Sequence, residues 1–188
     1  MPGGDYPFSD NKEAMDKIKS FIRQGGKVIS IENAVQQLAQ GNFGFSLKEG
    51  KEDTGTDSDA DYSLLKKYGQ RDRDYLKNSI PGAIYKLTLD NTHPLAFGYP
   101  DFYYTLKLNT GLYNYMKNGW NVGALKKSNY TSGFVGSILK PELQDGTLIG
   151  ATNYGQGNII FFADDPLFRL FWQNGKLMFS NAVFLVGE

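Results

Sequence analysis

The sequence predicts an α/β fold, with a largely parallel central sheet and helices on both of its faces. Three observations predict it: a helix-strand-helix opening, two late strands joined by a tight turn, and an apolar closing helix. A chain of 188 residues with 40% hydrophobic and 14% aromatic content can bury one sizeable core, so residues 1–188 are read as a single domain.

The elements follow in order. Asp10 and Glu13 read as a helix N-cap with its capping-box partner, and Ala14, Met15, Ile18, Phe21 and Ile22 make an apolar stripe at helical spacing. Gly25-Gly26 stops that helix. Lys27 to Ile31 alternates as a strand, and Ala34 to Ala39 forms the second helix. Residues 48–63, "KEGKEDTGTDSDADYS", are poor in apolar side chains and read as an acidic flexible loop. The alternation of Asp57, Asp59 and Asp61 suggests a calcium loop, but Tyr62 and Tyr68 stand where such a loop needs Gly and a bidentate Glu. A solvated loop is the better reading.

Residues 64–79 have mixed charge at helix-compatible spacing. Strands are expected at 83–89, 103–108, 134–138, 147–153 and 158–162, the last two joined at Tyr154-Gly155-Gln156-Gly157. From Gly175 to Val186, one face of a closing helix carries Leu177, Met178, Asn181, Ala182 and Leu185.

Composition excludes several functions. Twenty basic and twenty acidic residues leave no net field to attract nucleic acid or an anionic membrane. No stretch approaches eighteen apolar residues, so no membrane span is expected, and the first ten residues carry no export signal. Without cysteine there is no thiol nucleophile, and a single histidine, His93, builds no common zinc site. No metal and no cofactor are expected in this chain.

The opening corner is the informative place, because a sharp strand-to-helix turn can lift a nucleophile clear of a sheet. Here it holds Glu32 and Asn33. Two strings elsewhere carry a resemblance: "IPGAIYKLTLDNTHPLAFGY", residues 80–99, and "GNIIFFADDPLFRLFWQNGKLMFSNAVF", residues 157–184, with "KKYGQRDRDYLKNS" before the first. Together they resemble the C-terminal region of large bacterial zinc carboxypeptidases of the carboxypeptidase A superfamily. The resemblance covers most of the chain from Gly25 onward and is weakest at 51–61 and 113–129.

That resemblance implies a class I glutamine amidotransferase-like domain, a flavodoxin-like three-layer α/β/α sandwich. It implies Glu32 at the position of the family's cysteine, Ala34 at that of a following glycine and Gln36 at that of a glutamine. It also places Ala163 at the catalytic histidine and Asp165 near the glutamate. A carboxylate facing a methyl can neither attack an amide nor shuttle its proton. The implied function is therefore a non-catalytic accessory domain of an exported zinc carboxypeptidase, partnered by the upstream peptidase domain, with zinc held only in the parent.

Asp164 and Asp165 lie where ligands bind in doubly wound sheets. As adjacent residues on an extended backbone they point apart, so capping of the next turn and pairing with Arg169 is preferred to an acid/base site. Among the aromatics, Tyr99, Phe102, Tyr104 and Trp172 are candidates for ligand or domain contact, with the Tyr99 to Tyr104 stretch favoured as an interface. Two further functions are carried: a peptide- or glycan-binding module at the carboxyl edge of the sheet, and a cryptic hydrolase using Glu32, Asp164 or Asp165 with His93.

Overall fold

The computed structural model describes residues 1, 4, 11–50 and 67–187, and the statements below concern those. The elements run α1 (Lys12–Arg23), β1 (Lys27–Ile31), α2 (Asn33–Ala39), α3 (Arg71–Lys77), β2 (Gly82–Leu89), β3 (Phe102–Lys107), β4 (Trp120–Leu125), β5 (Tyr130–Phe134), α4 (Leu139–Glu142), β6 (Gly146–Tyr154), β7 (Gly157–Phe162) and α5 (Gln173–Phe184). Short 3-10 turns stand at Tyr68–Gln70, Pro94–Ala96 and Phe168–Leu170. The protein is an α/β protein with one mixed sheet, ordered β1-β7-β6-β4-β2-β3, in which β5 also pairs with β2.

The expectation of a largely parallel sheet is overturned. Only β1 and β7 run parallel among the described strands; every other pair is antiparallel. The connections explain it. A parallel pair needs a crossover of a dozen or more residues, whereas β6 and β7 are joined by Gly155 and Gln156 alone. The strands β2 and β3 also alternate between buried and more exposed positions, which is the pattern of an antiparallel sheet rather than of parallel strands buried on both faces.

Other boundaries move as well. Asn11 caps α1, its side chain accepting from the Ala14 amide at 3.1 Å; Asp10 lies outside the described residues. Phe21, placed on the buried stripe, is exposed. The strand expected at 134–138 is absent, since β5 lies at Tyr130–Phe134 and shares only Phe134 with it, and β4 was not foreseen because Asn121 and Gly123 weaken the strand pattern of "WNVGAL". Of residues 64–79, 71–77 are α-helical. The acidic loop and its three aspartates fall outside the described residues beyond Gly50.

Both faces of β7 are covered. Phe161 stacks on Phe45 with ring centroids 4.7 Å apart and leans on Tyr113, while the next residue, Phe162, faces the other way and lines a small cavity with Tyr103 and Thr105 of β3. That second contact has a geometric consequence. Four strand spacings separate β7 from β3, roughly 19 Å along a flat sheet at about 4.8 Å each. The sheet therefore curls, folding β3 over the face of β6 and β7. The shortest seam on that path is β2–β4, which has only two residue pairs, Thr88 with Ala124 and Leu89 with Gly123.

Helix α1 packs on β7, α2 on β1, and α5 on β3 and the 94–96 turn. The α1–β1 turn is held close to the β6–β7 hairpin: a Cβ added at Gly157 would lie 2.2 Å from the carbonyl oxygens of both Ile22 and Gly26. Gly157→Ala is therefore expected to destabilise the protein by about 1–3 kcal/mol, lowering Tm by roughly 2–4 °C per kcal/mol. Gly69→Ala, with no atom within 4 Å of the added Cβ, should leave Tm nearly unchanged in the same thermal melt.

Candidate functional site

The corner forms because the alternating run of β1 ends in a helix-forming segment. Glu32 sits between them at φ 53° and ψ −125°, a conformation costly for any residue with a side chain. Its amide donates to the Phe162 carbonyl oxygen at 2.9 Å, extending the β1–β7 pairing by one bond, and its own carbonyl accepts from the Val35 amide. The backbone thus has the form of a turn that displays one side chain at a sheet end. The side chain displayed is a carboxylate. Burial raises the Glu32 pKa above the ordinary value, and the charges of Asp165 and Asp164 raise it further.

Next door, β7 runs into Ala163, Asp164 and Asp165. Ala163 is buried, and its amide donates to the Leu148 carbonyl at 2.8 Å. Asp164 is buried too, and its carboxylate is fully engaged. Oδ2 accepts from the Thr105 hydroxyl at 2.9 Å, and Oδ1 from Lys107 Nζ at 3.1 Å. Lys107 is itself wholly buried, donating also to the Gly111 carbonyl at 2.5 Å. Asn109 completes the knot: its amide group donates to the Ala163 carbonyl and accepts from the Gly111 amide. Burial raises the Asp164 pKa, while Lys107 and the Thr105 hydroxyl pull it back down.

Asp165 accepts from the Leu167 amide at 2.8 Å, capping the turn that follows. The expected pairing with Arg169 is corrected. Arg169 adopts φ 48° and lies over the ring of Phe168, while Asp164 takes Lys107 as its partner. The sequence reading missed Thr105, Lys107 and Asn109. A signal was present: in "FYYTLK" the lysine falls on the same alternate positions as Tyr103 and Thr105, the side of β3 that is buried.

The remaining candidates scatter. Asn33 and Gln36 are exposed on α2, and Gln36 lines a cleft of about 260 Å³ together with Lys48, Gly111 and Leu112. His93 is at the other end of the sheet, in a cleft shared with Asn158 of β7, about four residues or some 13 Å along that strand from Phe162. The structure does not bring His93 to the corner. Tyr99 is a structural clamp, donating to the Asn174 carbonyl and accepting from the Met178 amide at 2.9 Å. Tyr103 is buried, while Phe102 and Tyr104 are half-buried and pack edge to face. The interface expected at 99–104 thus loses its inward-facing members. Trp172 immediately precedes α5.

No family model and no curated protein matches this sequence. Solved structures are similar. A ThuA-like protein from Bacteroides uniformis superposes with a TM-score of 0.50 at 14% identity, over 92% of this chain and 63% of that one. A cytoplasmic protein from Salmonella typhimurium gives 0.44 at 14% identity, over 90% and 58%, and a β-galactosidase from Bacillus circulans gives 0.47 at 9%, over 90% and 19%. The chain spans less than two thirds of each of these three proteins. The ThuA-like likeness supports a glutamine amidotransferase-like α/β fold and, at this identity, the fold alone. Nothing in these likenesses links the chain to a carboxypeptidase.

Among the described residues, no group of three His, Asp or Glu side chains could hold a metal ion, and no helix is long and apolar enough to cross a membrane. The corner disfavours charge on Glu32. Because the folded-state pKa of Glu32 lies above its unfolded value, deprotonation in the folded state costs stability: the cost is absent below the ordinary carboxylate range and grows as pH rises through it. Glu32→Gln should therefore melt at a higher temperature than the parent chain at pH 7.5, with the gap closing as pH falls to about 4. A gap that is absent, or that widens toward low pH, would contradict this reading of the corner.

Proposed function

We propose that this chain is a non-catalytic accessory domain of a larger protein: a flavodoxin-like, amidotransferase-like three-layer domain whose triad is lost, with Glu32 and Ala163 at the cysteine and histidine positions. The sequence resemblance makes a zinc metallocarboxypeptidase the proposed parent and its upstream peptidase domain the proposed partner. Zinc and hydrolysis would belong to that domain. This chain would take no cofactor of its own.

The observation that carries the accessory role is the outer side of α5. Met178, Asn181 and Ala182 face inward, yet Leu177, Val183, Phe184 and Leu185 are exposed on the same helix. An isolated surface helix keeps its outer face polar. Nearby, Phe97 is 67% exposed and precedes Gly98, which lies against Leu177, and Leu170, at 70%, precedes the helix. Large apolar side chains gathered in this way mark a surface meant to be covered. The carboxylates at the corner support the non-catalytic half of the reading, since Asp164 and Asp165 are both held in structural hydrogen bonds.

A second reading, a small-ligand or peptide module at the carboxyl edge of the sheet, is favoured by the Gln36 cleft beside Gly111. The two are separated by producing the segment encoded upstream in the same reading frame and titrating it with this chain. The accessory reading predicts a complex that Leu177→Glu with Phe184→Glu weakens at least about tenfold, while the Tm of the isolated chain shifts by no more than about 2 °C, as for surface changes. An upstream segment without a His-x-x-Glu peptidase motif would refute the carboxypeptidase parent. Association untouched by the double substitution would refute the α5 surface.

A further inference from the structure

We propose that the cleft at the amino end of β7, between the 90–94 turn and Trp120, binds a neutral sugar ring. It encloses about 420 Å³, inside the range of roughly 300–1,000 Å³ usual for small-ligand sites. It lies at the end of the sheet opposite the Glu32 corner and shares Leu185 with the α5 surface but neither Leu177 nor Phe184, so its test and that of the accessory reading can fail independently.

The walls are specific. Trp120, first residue of β4, is 57% exposed, and its ring lies 6.1 Å from that of His93 at an angle of 52°. The two rings make an open aromatic corner. The negative face of an indole attracts the partly positive axial C–H groups of a pyranose, and one such platform suffices for a saturated ring. A flat nucleobase would instead favour a two-sided sandwich.

Around the platform stand donors and acceptors without net positive charge. His93 Nδ1 accepts from the Leu95 amide at 3.1 Å, and burial lowers its pKa. The neutral ring therefore carries its proton on Nε2 and offers a single N–H donor. Asp90 uses Oδ1 for both of its bonds, to the Thr92 amide and hydroxyl, leaving Oδ2 as an acceptor. Asn158 lines the same cleft, and its Oδ1 is buried with no hydrogen-bond partner. Asn153 adds a second, exposed amide. With no Lys or Arg in its lining, the cleft has nothing to hold a phosphate or an acidic peptide. A carboxylate, two amides and an imidazole N–H suit instead the paired donor and acceptor hydroxyls of an uncharged sugar.

The chain has two tryptophans, so Trp172→Phe leaves Trp120 as the sole indole reporter. That variant is titrated with methyl α- and β-pyranosides of glucose, galactose and mannose and with their common disaccharides, following Trp120 emission and backbone amide shifts by NMR. Saturable binding of at least one sugar is expected, with shifts at 90–94, 120, 153 and 158. In the chain that retains Trp172, Trp120→Ala should weaken it up to about tenfold by amide shifts, and Asp90→Asn should weaken it less while Tm is held. Three outcomes overturn the proposal: no sugar of the panel binds, binding survives Trp120→Ala unchanged, or triglycine or adenosine saturates the same residues while sugars do not.

Discussion

One buried ion pair, Lys107 with Asp164, holds together parts of the chain that the sheet order keeps apart. Lys107 ends β3 at one edge, and Asp164 follows β7 four strand positions away. They meet only because the sheet curls and β3 folds over β6 and β7. Charges taken out of water are costly unless geometry and further hydrogen bonds compensate. Here Thr105 saturates the second carboxylate oxygen, and the Gly111 carbonyl takes another ammonium proton. The pair therefore fixes the curl as well as the path of residues 107–111, because Asn109 bonds both the Gly111 amide and the Ala163 carbonyl.

The same constraint bears on function. In a catalytic version of such a corner, the residues after the late strand must reach toward the displayed side chain of the strand-helix turn. In this chain Asp164 points into the fold, Asp165 closes a local turn, and Glu32 stands at the corner with a positive φ. Surface chemistry lies elsewhere. The apolar outer side of α5 and the His93–Trp120 cleft are held by different contacts: α5 by Tyr99 and by Asn181, which donates to the Leu95 and Phe97 carbonyls, and the cleft by the Asp90 turn and the ends of β4, β6 and β7.

Local signals made much of this legible. The corner was readable because four residues of strand alternation give way to helix formers within one turn, and the β6–β7 hairpin because Gly155 stands in a two-residue link. Sheet direction was not, since the opening helix-strand-helix pattern was extended to the late strands, although the two-residue β6–β7 link already required antiparallel pairing. Lys107 escaped for another reason. Its position on the inner side of β3 is visible in the alternation, but its partner is 57 residues away and only the curl brings the two together. The exposed side of α5 was hidden by its composition, because a helix apolar on most sides gives no periodic signal of which side is buried.

The most direct measurement is a double-mutant cycle at this pair, with unfolding free energies from urea titration of the parent chain, Lys107→Met, Asp164→Asn and the double variant. If the pair holds the curled sheet, Lys107→Met leaves a buried carboxylate unpaired and costs about 3–5 kcal/mol. The double variant should then recover much of that loss, giving a coupling of at least about 2 kcal/mol. Single effects that simply add, or a Lys107→Met chain as stable as the parent, would contradict the account.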